Sequence, residues 1–135
     1  MDHVSSSKRS DIMRAVKGRD TGPELVVRRA LHRAGFRYRL HVRSLPGTPD
    51  IVFPARRKVI FVHGCFWHGH KNCAKARLPK TRVSFWSHKI ALNSRRDKAR
   101  IAQLRHLGWR SLVVWQCQLR EPDAVFSRVR EFIGE

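Results

Sequence analysis

The chain has 135 residues, enough for one domain with a hydrophobic core and too few for two. Its 29 lysines and arginines face 10 aspartates and glutamates, a formal charge of +19 that works against a compact fold unless a polyanion binds. With 41% apolar residues, four Trp and seven Phe it is not a disordered chain, and no apolar run is long enough to span a membrane.

Residues 1–20 are polar, with Lys8, Arg9, Arg14, Lys17 and Arg19 around Ile12, Met13 and Val16. This pattern predicts a short amphipathic helix or a basic arm that orders on DNA, ahead of one domain over 21–135. The first residues lack the apolar core of a secretory signal, and Asp2, Asp11 and Asp20 argue against a transit peptide, so a cytosolic protein is expected. Thr21 as N-cap with Glu24 three residues on predicts a helix with Leu25, Val27, Leu31 and Ala34 inward, ending at Gly35. Phe36 to Val42 alternates as a strand with one basic face would. Past the turn at Pro46-Gly47-Thr48-Pro49, the runs 50–53 and 58–63 predict a hairpin. If its turn centres on Arg56, Asp50 lies opposite Val62 and beside His63. Gly64 to Arg82 has no apolar period. Ser84 to Leu107 predicts a helix with Ile90, Asp97, Ile101 and Leu104 on one stripe, Trp109 to Trp115 a buried strand, and Pro122 onward a helix burying Val125, Val129, Phe132 and Ile133. The order α-α-β-β-β-α-β-α suits an α/β fold, a mixed sheet flanked by helices.

Four constellations carry chemistry. Cys65, His70, Cys73 and the later Cys117 form a complete tetrahedral set for structural zinc, against the reading of three incidental cysteines. Asp50 beside a free carbonyl in a basic cleft is a seat for Mg²⁺, or simply a turn aspartate. Asp97, on an apolar stripe, needs a partner: a histidine would make a water-activating pair, an arginine only a salt bridge. Phe66, Trp67 and Trp86, among Lys71, Lys75, Arg77, Lys80 and Arg82, can wedge between bases while the cations hold phosphates, although Trp86 and Phe85 fit a core equally well.

Together these segments resemble the very short patch repair endonucleases of bacteria. The matching stretches are Met13-Arg14-Ala15, Arg19-Asp20-Thr21, Leu45-Pro46-Gly47 with Pro49-Asp50, Val59 through His68, Thr81-Arg82 with Phe85-Trp86, Lys89-Ile90, Asn93, Arg96-Asp97 and Leu107 through Cys117. The resemblance implies a restriction-endonuclease-like domain that nicks one DNA strand 5′ to the T of a T·G mismatch left by deamination of 5-methylcytosine. It implies Asp50 and the Val62 carbonyl on Mg²⁺, and His68 with Asp97 activating water. His63 and Glu24 would assist at the phosphate, and Cys65, His70, Cys73 and Cys117 would hold zinc, with His68 the alternative to His70. Phe66, Trp67 and Trp86 would form the wedge, with Arg14, Arg19, Lys71, Arg82 and Asn93 on DNA. It also implies a monomer in the bacterial cytoplasm, at the nucleoid, linked to a mismatch-repair protein and a DNA cytosine methyltransferase. Two other readings stand beside it: a nicking or restriction enzyme without mismatch preference, and a non-catalytic, zinc-stapled DNA-binding module.

Overall fold

The computed structural model describes residues 21–134, so the expected arm over 1–20, with Arg14 and Arg19, lies outside the described residues. The elements in chain order are α1 (Gly22–Arg33), β1 (Arg39–Leu40), β2 (Ile51–Phe53), β3 (Lys58–His63), α2 (Val83–His106), β4 (Arg110–Trp115) and α3 (Pro122–Ile133). The strands form one sheet in the order β1-β2-β3-β4. The first three pair antiparallel and β4 joins β3 in parallel, with α2 as the crossover that a parallel pair requires.

Two apolar clusters sandwich the sheet. Val27 and Leu31 of α1 and Val125, Val129 and Ile133 of α3 pack on Ile51, Phe53, Ile60 and Val114. On the opposite face Leu104 and Ile101 of α2 cover Val52, Val59 and Phe61. The result is a mixed sheet flanked by helices, the restriction-endonuclease-like arrangement expected from the sequence. Lys58 locks one corner, its Nζ donating to the carbonyls of Phe132 (2.8 Å) and Ile133 (3.1 Å) at the negative end of α3.

Several local expectations change. Leu25 is only half-buried, and Ala34 is exposed because α1 has already ended and Ala34 is its C-cap. The strand expected over 36–42 contracts to Arg39–Leu40. Phe36 enters the core, the Tyr38 hydroxyl donates to the Arg28 carbonyl at 2.8 Å, and His41 leaves the extended region with φ 48°. The hairpin forms, but its register pairs Ile51 with Ile60 and Phe53 with Lys58, one residue from the expected alignment. The cause is the connection: Pro54–Arg56 make a 3-10 turn and Arg57 takes a left-handed conformation (φ 52°), so Lys58 follows directly opposite Phe53. A one-residue slip usually shows in the alternation of apolar residues, but Ile51, Val52 and Phe53 are all buried and carry no such signal. Phe132 is half-buried rather than enclosed. Helix α2 matches its expected span, with Ile90 and Leu104 buried and Asp97 half-buried.

Candidate active site and metal centre

A cleft of about 700 Å³ opens where the start of α1, the residues around β2 and β3 and the middle of α2 meet. It collects Glu24, Asp50, Val62, His63, His68 and Asp97, which lie far apart in the sequence. Arg43 and Arg100 also line it and supply the positive charge a phosphate needs. Neither belongs to a motif in the sequence. Arg100 had a signal, since it follows Asp97 by one helical turn.

Asp50 stands just ahead of β2. Its Oδ2 accepts the Val62 N–H at 2.7 Å, so the slipped register still brings the expected pair together. Burial pushes its carboxyl up to about 6; the Val62 N–H opposes the rise and neighbouring Glu24 adds to it. A carboxylate held in this state is stabilised by a nearby cation, and a second carboxylate is at hand. The Thr21 hydroxyl accepts the Glu24 N–H at 3.4 Å, as a capping residue should. The Glu24 side chain, however, is only 2% exposed, with Oε2 2.8 Å from His41 Nε2 and 3.2 Å from Arg28. Its carboxylate therefore belongs to the cleft. Two carboxylates in a cleft with room for water fit the Mg²⁺ that the family resemblance implies.

Across the cleft, His68 Nδ1 lies 2.6 Å from Asp97 Oδ2. An ionised carboxylate only accepts, so Nδ1 carries a proton, and in the neutral ring it is Nε2 that has the lone pair. The partner of Asp97 is thus a histidine, not an arginine. His63 stacks on His68 with ring centroids 3.8 Å apart and planes 4° from parallel. Burial, and after it the neighbouring His68, holds the His63 imidazole down at about 4, so the ring is neutral near pH 7. Asn93 Nδ2 donates to the Trp67 carbonyl at 3.0 Å and Ser94 Oγ to the His68 carbonyl at 2.9 Å, so α2 fixes this loop through its backbone. Asn93, expected on DNA, thus also anchors the loop through one of its amide N–H groups. Gly69 (φ 63°) lets the loop lie this close: a Cβ there would stand 2.7 Å from an Ile90 methyl.

The same loop forms the second centre. Ligand atoms of Cys65, His70, Cys73 and Cys117 all lie within 4.8 Å of one another. Around tetrahedral zinc, with Zn–S near 2.3 Å, sulfur donors stand about 3.8 Å apart, so the set fits the ion with little movement. His70 takes the nitrogen position, with Nδ1 3.5 Å from the Cys117 sulfur, while His68 is committed to Asp97. Cys65 is fully buried, and burial pushes its thiol up to about 11, so a metal would have to displace its proton.

Phe66, Trp67 and Trp86 pack edge-to-face on one another with centroids 5.1 to 5.8 Å apart, all half-buried. Phe85, one of the alternatives for the core, is 45% exposed with the Arg82 guanidinium 4.4 Å above its ring. Lys71 and Arg82 are exposed, as phosphate contacts must be.

Carboxylates from the start of α1 and the head of the hairpin, facing a histidine–aspartate pair in one basic cleft, give a restriction-endonuclease-like fold the groups that phosphodiester hydrolysis needs. Comparison with known proteins narrows this. The model of the DNA mismatch endonuclease Vsr family matches residues 1–75. The chain is 50% identical over 132 residues to the type II nicking enzyme V.XorIIP of Xanthomonas oryzae, covering 98% of this chain and 96% of that one. It is 44% identical over 137 residues to the DNA mismatch endonuclease Vsr of Escherichia coli, covering 98% and 87%, and 34% identical to V.HpaIIP of Haemophilus parainfluenzae, covering 100% and 97%. The chain belongs to the Vsr DNA mismatch endonuclease family. It is therefore a nuclease of the nicking, mismatch-repair kind with DNA as its substrate. Among the described residues no helix is long and apolar enough to cross a membrane.

Proposed function

We propose that this chain nicks one strand of duplex DNA 5′ to the T of a T·G mismatch, with Mg²⁺ at Asp50 and structural zinc on Cys65, His70, Cys73 and Cys117. The observation that carries the reading is the 2.6 Å His68–Asp97 contact facing Asp50 and Glu24 across one cleft. Asp97 holds the proton on His68 Nδ1, so Nε2 is free to take the proton of an attacking water. His63, neutral and stacked on His68, keeps that ring in plane and assists at the phosphate. Arg43 and Arg100 neutralise the phosphate, and Glu24 stands with Asp50 on the opposite wall. Asp50, with the Val62 carbonyl, would hold the Mg²⁺, whose charge when bound would serve to polarise the phosphodiester and stabilise the leaving oxygen.

Phe66, Trp67 and Trp86 supply the wedge. Unstacking a base step costs a few kcal/mol, least at a mismatch, and the +19 charge offsets it through phosphate contacts. In this reading Arg14, Arg19, Lys71 and Arg82 position the duplex, and residues 1–20 form the clamping arm. The enzyme acts as a monomer on nucleoid DNA in the bacterial cytoplasm, alongside a mismatch-repair protein and a methyltransferase that creates the 5-methylcytosine.

The test is nicking of labelled duplexes that differ only in T·G against T·A, with Mg²⁺ and with chelator. We expect T·G nicked at least about 100-fold faster, a gap of roughly 3 kcal/mol, and no product with chelator. Equal rates would leave a nicking enzyme without mismatch preference. No cleavage across varied mismatches, with Mg²⁺ or Mn²⁺, would leave a DNA-binding module.

A further inference from the structure

One residue of the cleft wall had no signal in the sequence. His41 brings Nε2 between the two carboxylates: it lies 2.8 Å from Glu24 Oε2 and 4.0 Å from Asp50 Oδ1, and the three ligand atoms are all within 4.8 Å of one another. For ligands bonded at about 2.1 Å in octahedral geometry, adjacent donors stand about 3.0 Å apart and opposite donors about 4.2 Å. Both His41 separations are close to those values.

The surroundings favour a ligand over an ordinary buried histidine. The His41 side chain is 9% exposed, and Nε2 is buried yet aligned for no hydrogen bond, even with Glu24 so near. Its backbone has φ 48°, a conformation that side chains with a Cβ rarely adopt, held by the His41 N–H donating to the Asp50 carbonyl at 3.2 Å. Backbone strain and a nitrogen that contacts Glu24 without hydrogen-bond alignment persist together where the two carboxylates converge.

We propose that His41 is a direct ligand, with Glu24 and Asp50, of the divalent cation in this cleft, and that its nitrogen makes the site prefer Mn²⁺ to Mg²⁺. The inference rests on the cation site at Asp50 and refines its donor set. Mg²⁺ is hard, keeps its water and favours oxygen. A first-row transition-metal ion of similar geometry accepts an imidazole nitrogen more readily.

The test uses the full-length, zinc-loaded protein without DNA, so the outcome does not depend on mismatch nicking. Mn²⁺ and Mg²⁺ are titrated calorimetrically, and pulsed electron paramagnetic resonance on bound Mn²⁺ reads coupling to a directly bound ¹⁴N. We expect Mn²⁺ to bind at least about tenfold tighter than Mg²⁺. The ¹⁴N coupling should be present in the unaltered protein, lost in His41→Gln and kept in His68→Gln. His41→Gln should weaken Mn²⁺ by about tenfold or more and Mg²⁺ by less than about threefold. A Mn²⁺ site without ¹⁴N coupling in the unaltered protein overturns the His41 ligand alone, and needs no variant to fold. Equal weakening of both metals in His41→Gln overturns it too, because that is the signature of a residue that only positions Glu24. Absence of any cation binding overturns the ligand and the cation site together.

Discussion

Replacing Asp50 with alanine is expected to reduce nicking of a T·G duplex by roughly 10³-fold or more while leaving DNA affinity within about threefold. Its carboxylate is the proposed seat of the ion that stabilises the leaving oxygen, a contribution of several kcal/mol. Affinity comes instead from phosphate contacts made by 29 basic residues, which one carboxylate hardly alters. The fold should also survive the change. Folding raises the Asp50 carboxyl from 3.8 to about 6, so the folded state holds its proton more tightly than the unfolded chain does. Stability from this group therefore falls as pH rises from about 4 to about 6, and above that the ionised carboxylate is a net cost without a cation. Removing it relieves that cost and leaves the Val62 N–H without a partner, two effects of opposite sign and similar size, each on the order of 1–3 kcal/mol. Thermal melting at pH 7.5 in chelator should show a Tm close to that of the unaltered protein. A variant nicking within about tenfold of the original would remove Asp50 from the chemistry.

Cys117→Ser should act on a different quantity. Cys117 follows β4 directly, whereas Cys65, His70 and Cys73 belong to the long loop after β3. A metal shared among them ties 52 residues of sequence separation into one point beside the sheet. The unaltered protein should carry one zinc per chain by elemental analysis, and the variant well under half of that. The Tm of the variant should fall by roughly 10 °C or more, because metal binding and folding are coupled in such centres. Nicking should fall as well, since Phe66, Trp67 and His68 sit in the same loop as Cys65 and His70. A purified protein without zinc, or a variant with full metal and unchanged Tm, would contradict the structural centre.

The two centres differ in how far the sequence revealed them. Zinc ligation depends on a few rare residue types, so three cysteines and a nearby histidine were enough to assemble the set. The choice of His70 over His68 needed three dimensions, because it depends on which ring Asp97 captures from 29 positions away. Asp97 itself was legible as a carboxylate on an apolar stripe. Glu24 was legible only through the family resemblance: its spacing from Thr21 fits a helix cap, and the backbone hydrogen bond of that cap does form, while the side chain turns into the cleft. His41 was invisible because its position depends on a left-handed backbone angle within a run that alternates like a strand. The hairpin was legible but its register was not, since a strand buried on both faces has no alternation to fix it.

The most direct measurement of the central claim is the position of the cut. A duplex with one T·G mismatch, each strand labelled in turn, is incubated with the full-length protein and Mg²⁺ and resolved at single-nucleotide resolution. We expect a single break immediately 5′ to the mismatched T, with the G strand intact and the matched T·A duplex nearly uncut. Cleavage of both strands, or a break at the same site and rate in the matched duplex, would contradict mismatch-directed nicking.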